Sequence, residues 1–156
     1  MRKRVLTILF AATLMAAVPV HAAENQKNKE MQLSTEIDSV YTLTIPADTD
    51  IEFNSAAKNL NGVLKVSGNV DAGEKVKVTA VPEALHNAAH NVDLPYTLNE
   101  GENIFQKAEW SETELRDGLN GKGKELQLSV KITEKDWKAA KAGTYTGGIT
   151  FTAELQ

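Results

Sequence analysis

Residues 31–46 read Met-Gln-Leu-Ser-Thr-Glu-Ile-Asp-Ser-Val-Tyr-Thr-Leu-Thr-Ile-Pro. Met31, Leu33, Thr35, Ile37, Ser39, Tyr41, Leu43 and Ile45 share one parity, while Gln32, Ser34, Glu36, Asp38, Thr42 and Thr44 hold the other, with Val40 as the apolar exception. A period of two matches the β-pleat, in which successive side chains point to opposite faces. The stretch therefore predicts one strand, or two in series, with one face buried. Pro46 closes it, because proline has no N–H to give to a ladder.

The same rhythm recurs downstream. Ile51 and Phe53 predict a short strand, and Leu64 and Val66 another after the Asn61-Gly62 turn. Asp71-Ala-Gly-Glu74 turns the chain into residues 75–81, where Val76, Val78 and Ala80 alternate with Lys77 and Thr79, and a hairpin is expected there. Residues 92–98 and 104–110 are further strand candidates, separated by Asn99-Glu-Gly-Glu102. Leu126, Leu128, Val130 and Ile132 alternate with Gln127, Ser129 and Lys131. Near the end, Tyr145, Gly147, Ile149, Phe151, Ala153 and Leu155 alternate with Thr146, Thr150, Thr152 and Glu154.

Two helical turns interrupt this pattern. Ser111 and Glu114 have capping-box spacing, with Trp110 and Leu115 placed as a hydrophobic staple. Thr133 and Asp136 repeat the arrangement with Ile132 and Trp137, and Gly143 stops the segment. Seven to nine short strands with two connecting helical turns predict an all-β fold, an antiparallel immunoglobulin-like β-sandwich over residues 31–156. A barrel is the alternative.

Upstream, Arg2, Lys3 and Arg4 precede an apolar run over residues 5–18, and Val20-His21-Ala22 supplies a cleavage site. Residues 1–22 thus read as a secretory signal peptide, too short and wrongly flanked for a membrane span. Residues 23–30, Ala-Glu-Asn-Gln-Lys-Asn-Lys-Glu, form a polar leader expected to be flexible. Of 17 basic and 21 acidic residues the signal holds only three basic ones, leaving 14 against 21 and a mature net charge of −7. Nucleic acid and anionic lipid both need a cationic surface, so neither is an expected partner, and no membrane insertion of the mature chain is expected. The chain has no cysteine. Its stability must come from packing and strand pairing, although an exported protein could have used disulfides.

Chemistry-bearing constellations are sparse. His86 and His90 stand four apart, so a helical residues 82–90 would set both imidazoles and Glu83 on one face, where zinc or copper could bind. The bland alternative is the solvated side of a connector, and no cofactor is expected. No serine sits in a nucleophile elbow. Glu112 with Glu114, and Glu134 with Asp136, are two apart and do not face each other on a helix. The chain is accordingly expected not to be an enzyme.

Strand edges remain as the means of interaction. A chain completing a sandwich edge presents alternate side chains to a neighbour. Met31, Leu33 and Ile37 have that parity in the first segment, as do Ile149, Phe151 and Leu155 in the last. The first set also suits an ordinary first strand of the domain itself.

The segment Trp137-Lys-Ala-Ala-Lys-Ala-Gly143-Thr-Tyr145-Thr-Gly147-Gly-Ile149-Thr-Phe151-Thr resembles the final strand of exported bacterial β-sandwich domains of the fimbrial and spore coat U type. Val40-Tyr-Thr-Leu-Thr-Ile-Pro46, Val66-Ser-Gly-Asn-Val70 and Lys75-Val-Lys-Val-Thr79 are similar to their opening strands. The resemblance implies an immunoglobulin-like fold, a surface or appendage location, and subunit contacts made by strand exchange. This chain departs from many chaperone-assembled pilins in lacking a cysteine pair and in carrying Leu155 where they carry an aromatic residue.

The leading expectation is a non-enzymatic structural or adhesive subunit exported to the periplasm, cell surface or fimbrium. Its partners would be copies of itself, another envelope protein, or a host or matrix ligand. The alternatives are a free periplasmic or extracellular binding module, reading a glycan or protein through Trp110, Trp137 or residues 82–92, and a metal-binding protein built on His86 and His90.

Overall fold

The computed structural model describes residues 31–156, so the signal peptide and the polar leader expected over residues 1–22 and 23–30 lie outside the described residues. The chain divides into one unit over Met1–Thr35 and a second over Glu36–Gln156. Residues 31–35 carry no strand or helix.

The second unit is predominantly β, and all its strand pairs are antiparallel. In chain order its described elements are β1 Val40–Thr44, β2 Ala57–Asn59, β3 Leu64–Asn69, β4 Lys75–Pro82, β5 Leu85–Asn87, β6 Val92–Leu94, β7 Thr97–Glu100, β8 Asn103–Ile104, β9 Lys107–Ser111, α1 Glu112–Leu119, β10 Glu125–Leu126, β11 Leu128–Lys131, α2 Glu134–Ala139 and β12 Ile149–Leu155. The twelve segments exceed the seven to nine strands expected because several predicted runs are broken. Pro95 separates β6 from β7, and Gln127 separates β10 from β11.

The described strands form four sheets, ordered β1-β3-β10, β2-β11-β7-β8, β12-β4-β9 and β5-β6. β2 and β3 pair successively with β11 and β10, Asn59 opposite Ser129 and Leu64 opposite Leu126. The Gln127 amide bridges the interruption by donating to the carbonyls of Leu60 at 2.8 Å and Gly62 at 3.2 Å.

The expected hairpin at Asp71–Glu74 is not formed. β3 is paired by β1 and β10, and β4 by β12 and β9, so the turn carries the chain from one sheet to another. Turn residues satisfy either connection; β4 has strand partners on both edges, which leaves none for β3. The strand expected at Ile51 and Phe53 is also absent: these residues lie in the loop joining β1 to β2, where Asn54 adopts φ +62°.

Alternation identifies the core well. Val76, Val78 and Ala80 of β4 are buried with Leu64 and Val66 of β3 and with Leu126, Leu128, Val130 and Ile132. Trp110 and Leu115 join them, completely buried, where α1 meets the end of β9. Ser111 caps α1 through the full capping box with Glu114. Thr133 caps α2 by accepting from Asp136 N–H.

The direction of the strands fixes what lies at each end of the domain. β3 runs toward the 70–74 turn and β4 away from it. β1 begins opposite Asn69, beside that turn, while Leu155 at the end of β12 lies opposite Val76. The root of the N-terminal segment and the end of β12 therefore share one end of the domain. The β1–β2 loop, α2 and the start of β12 occupy the other.

Candidate functional site

Within the described residues β12 is an edge strand, paired along its length with β4 alone. Lys75 and Gln156 exchange both backbone bonds, at 2.9 and 2.8 Å. Bonded and non-bonded pairs alternate in an antiparallel ladder, so the even-numbered residues of β12 bond to β4, and the N–H and C=O groups of Ile149, Phe151, Ala153 and Leu155 point to the open side. Those residues also turn their side chains to the core face, as their partners Ala80, Val78 and Val76 do. Yet Ile149, Phe151 and Ala153 are only half-buried, and Leu155 is 37% exposed.

β1 flanks the same opening. Tyr41 and Leu43 pack against the core and remain half-buried. The Tyr41 hydroxyl donates to the Ala153 carbonyl at 3.2 Å, joining the two edges through a side chain where no backbone ladder connects them. The result is an apolar seam with a row of backbone groups along one wall. Unpaired edges of this kind are templates for another strand.

The segment leading into β1 has the matching character. Met31, Leu33 and Ile37 are 77%, 85% and 69% exposed and belong to no strand, so the extended strand expected from Met31 begins only at Val40. Ser39 marks the boundary. Its hydroxyl donates to Glu74 Oε2 at 2.8 Å and accepts from the Asp71 N–H at 3.0 Å, pinning the segment to the β3–β4 turn.

The other predicted sites fare differently. Residues 82–90 are not helical: Leu85–Asn87 pairs with β6, and His86 bridges to Thr146. His86 Nδ1 lies 2.7 Å from Asp93 Oδ1, while His90 sits in the following turn. Among the described residues no three metal-ligating side chains converge, so Glu83, His86 and His90 are not brought together. Residues four apart in extended chain stand roughly 13 Å from each other, against about 6 Å on a helix, so the spacing of His86 and His90 no longer brings their imidazoles to one ion.

Trp110 is fully buried, with Nε1 donating to the Lys124 carbonyl at 3.0 Å, which removes it as a ligand-stacking surface. Trp137 is half-buried, anchored by Nε1 to the Ser55 carbonyl at 2.9 Å. Phe53, 81% exposed, meets its ring edge-on at 5.5 Å and 75°. Sequence reasoning placed Phe53 in a strand and missed this pair, although aromatics flanking turn residues were visible.

Tyr96 is the one titratable group near the start of β12 with a raised pKa. Burial disfavours its phenolate, the Glu83 carboxylate adds to the effect, and a backbone hydrogen bond at Glu83 partly opposes it. Its hydroxyl donates to the Gly148 carbonyl at 3.2 Å. No helix among the described residues is long and apolar enough to cross a membrane. No known protein family matches this chain, and no curated protein does either.

Proposed function

We propose that this chain is an exported, non-enzymatic structural or adhesive surface subunit, an immunoglobulin-like sandwich with an incomplete edge, and that copies assemble by strand exchange. The observation that carries the reading is the seam between β1 and β12, with half-buried Ile149, Phe151 and Ala153 beside backbone groups that no described strand pairs, the Ala153 carbonyl being taken by the Tyr41 hydroxyl. In this reading the occupant is the exposed segment around Met31, Leu33 and Ile37 of another copy.

Side-chain sizes favour one register. An antiparallel leader spanning the four open positions sets Met31 opposite Leu155, Leu33 opposite Ala153, Thr35 opposite Phe151 and Ile37 opposite Ile149. Large then faces small at the two central positions, as a close-packed interface requires. Burying three exposed apolar side chains supplies several kcal/mol at about 1.5–3 kcal/mol for each full burial.

Size-exclusion chromatography of the mature protein, with and without residues 23–38, tests this. Concentration-dependent oligomers that vanish on deletion, and binding of a synthetic 28–38 peptide to the shortened domain, are expected. A mature protein that stays monomeric at every concentration sinks the proposal.

A further inference from the structure

Strand exchange, if it occurs as above, forces a second contact, and the inference here rests on that reading. A leader running antiparallel to β12 places its Ile37 beside the acceptor's Ile149, at the end of the domain occupied by the β1–β2 loop and α2. In the donor, Ser39 is pinned by Glu74 and Asp71. Only Asp38 separates the two positions, so the joining chain spans at most two residue steps, about 7 Å. The donor's 70–74 end must then abut the acceptor's opposite end.

The acceptor end is suited to being covered. β1, one wall of the seam, leads through Ile45, 52% exposed, into the loop that presents Phe53, 81% exposed, on Trp137. An aromatic held in place by a second ring and lying open to water is the kind of anchor that interfaces bury. Beside it, Lys135 and Lys141 are exposed and make no ion pair among the described residues. The donor end carries exposed Asp38 and Asp71, with Glu74 next to them. The β1–β2 loop also carries exposed Asp48 and Asp50, so the charge match is confined to the α2 side of this end, where Lys135 and Lys141 stand, and the apolar anchor is the larger part of the contact.

We infer that the Phe53–Trp137 end, with Lys135 and Lys141, is the docking seat for the acidic 70–74 end of a second copy of this chain.

The absence of native cysteine makes the test clean. Mature F53E, K135E/K141E, and K135E/K141E combined with D71K would be compared for the concentration at which leader-dependent oligomers form. Separately, D71C and K135C single variants would be mixed and oxidised. F53E should raise the assembly concentration at least tenfold, the lysine reversal should raise it too, and D71K should recover part of that loss. D71C and K135C should form a mixed disulfide in preference to either self-pair. Acrylamide quenching reads the same event, because Trp110 is buried and Trp137 is the accessible tryptophan, whose quenching should fall on assembly. Leader-dependent oligomers that form equally well in F53E, with no mixed disulfide, overturn the docking seat and leave strand exchange standing. Absence of leader-dependent oligomers in the parent protein overturns both.

Discussion

The proposed register can be tested at its central pair by a double-mutant cycle between Leu33 and Ala153. The 28–38 peptide, as parent or Leu33→Ala, would be titrated by calorimetry into the domain lacking residues 23–38, as parent or Ala153→Leu. Leu33 is 85% exposed in the free chain, so nearly a whole leucine side chain is transferred from water on docking. Truncation to alanine forfeits roughly 2 kcal/mol, about a thirtyfold loss in affinity. Ala153 lies opposite Val78, which is completely buried, so a leucine at 153 projects into space that Leu33 would fill. Overpacking of that kind costs about 1–3 kcal/mol against the parent peptide. The alanine peptide on the leucine domain restores one large and one small side chain and should bind within a few-fold of the parent pair. Single losses that simply add, with coupling below about 0.5 kcal/mol, refute the register. A Leu33→Ala peptide that binds as tightly as the parent refutes insertion of Leu33 altogether.

Three further outcomes are expected. Tyr41→Phe removes the hydroxyl that occupies the Ala153 carbonyl; the domain should lose about 0.5–1.5 kcal/mol while taking up the leader peptide faster, and an unchanged association rate in stopped-flow fluorescence would show that the hydroxyl is no barrier. Gly68→Ala would set a Cβ against the Val40 carbonyl oxygen and 2.8 Å from Tyr41 Cα, so β1 must shift; hydrogen exchange at residues 40–44 should accelerate, and unaltered protection there would contradict the packing. Tyr96 ionises late because burial and Glu83 disfavour its phenolate, so its contribution to stability is complete below the ordinary value of 10.0 and is lost as pH rises through the higher folded value. Alkaline absorbance titration should show a late phenolate component that Tyr96→Phe abolishes; a Tyr96→Phe curve still containing it assigns the shift elsewhere.

The sequence disclosed most where a face is buried along a whole strand. Val76, Val78 and Ala80, and the run from Leu126 to Ile132, alternate because one side of each strand lies in the core, and the structure buries them. Other features were hidden for physical reasons. Alternation is the same whether or not a segment is paired, so the spacing of Met31, Leu33 and Ile37 could not disclose that they lie exposed outside every described strand. The Asp71–Glu74 turn serves a hairpin and a sheet-to-sheet crossing equally well. Residues 82–90 contain helix-favouring alanines, yet pairing with β6 and the bridge to Thr146 override that local preference. The seam itself was half legible: parity named Ile149, Phe151 and Leu155, but the opposing wall at Tyr41 and Leu43 emerges only from the relative placement of β1 and β12.

The Ser39 clamp also governs how this domain would bear a mechanical load. Tension applied through the N-terminal segment arrives at Ser39 and is divided between Glu74, the Asp71 amide and the start of β1. From there it pulls along the axis of β1, whose register with β3 runs from Val40 to Thr44. A strand drawn lengthwise strains its rungs together in shear, whereas one lifted from its end surrenders them singly. Loss of the Glu74 carboxylate would therefore be felt least in a quiescent monomer and most in a chain being stretched.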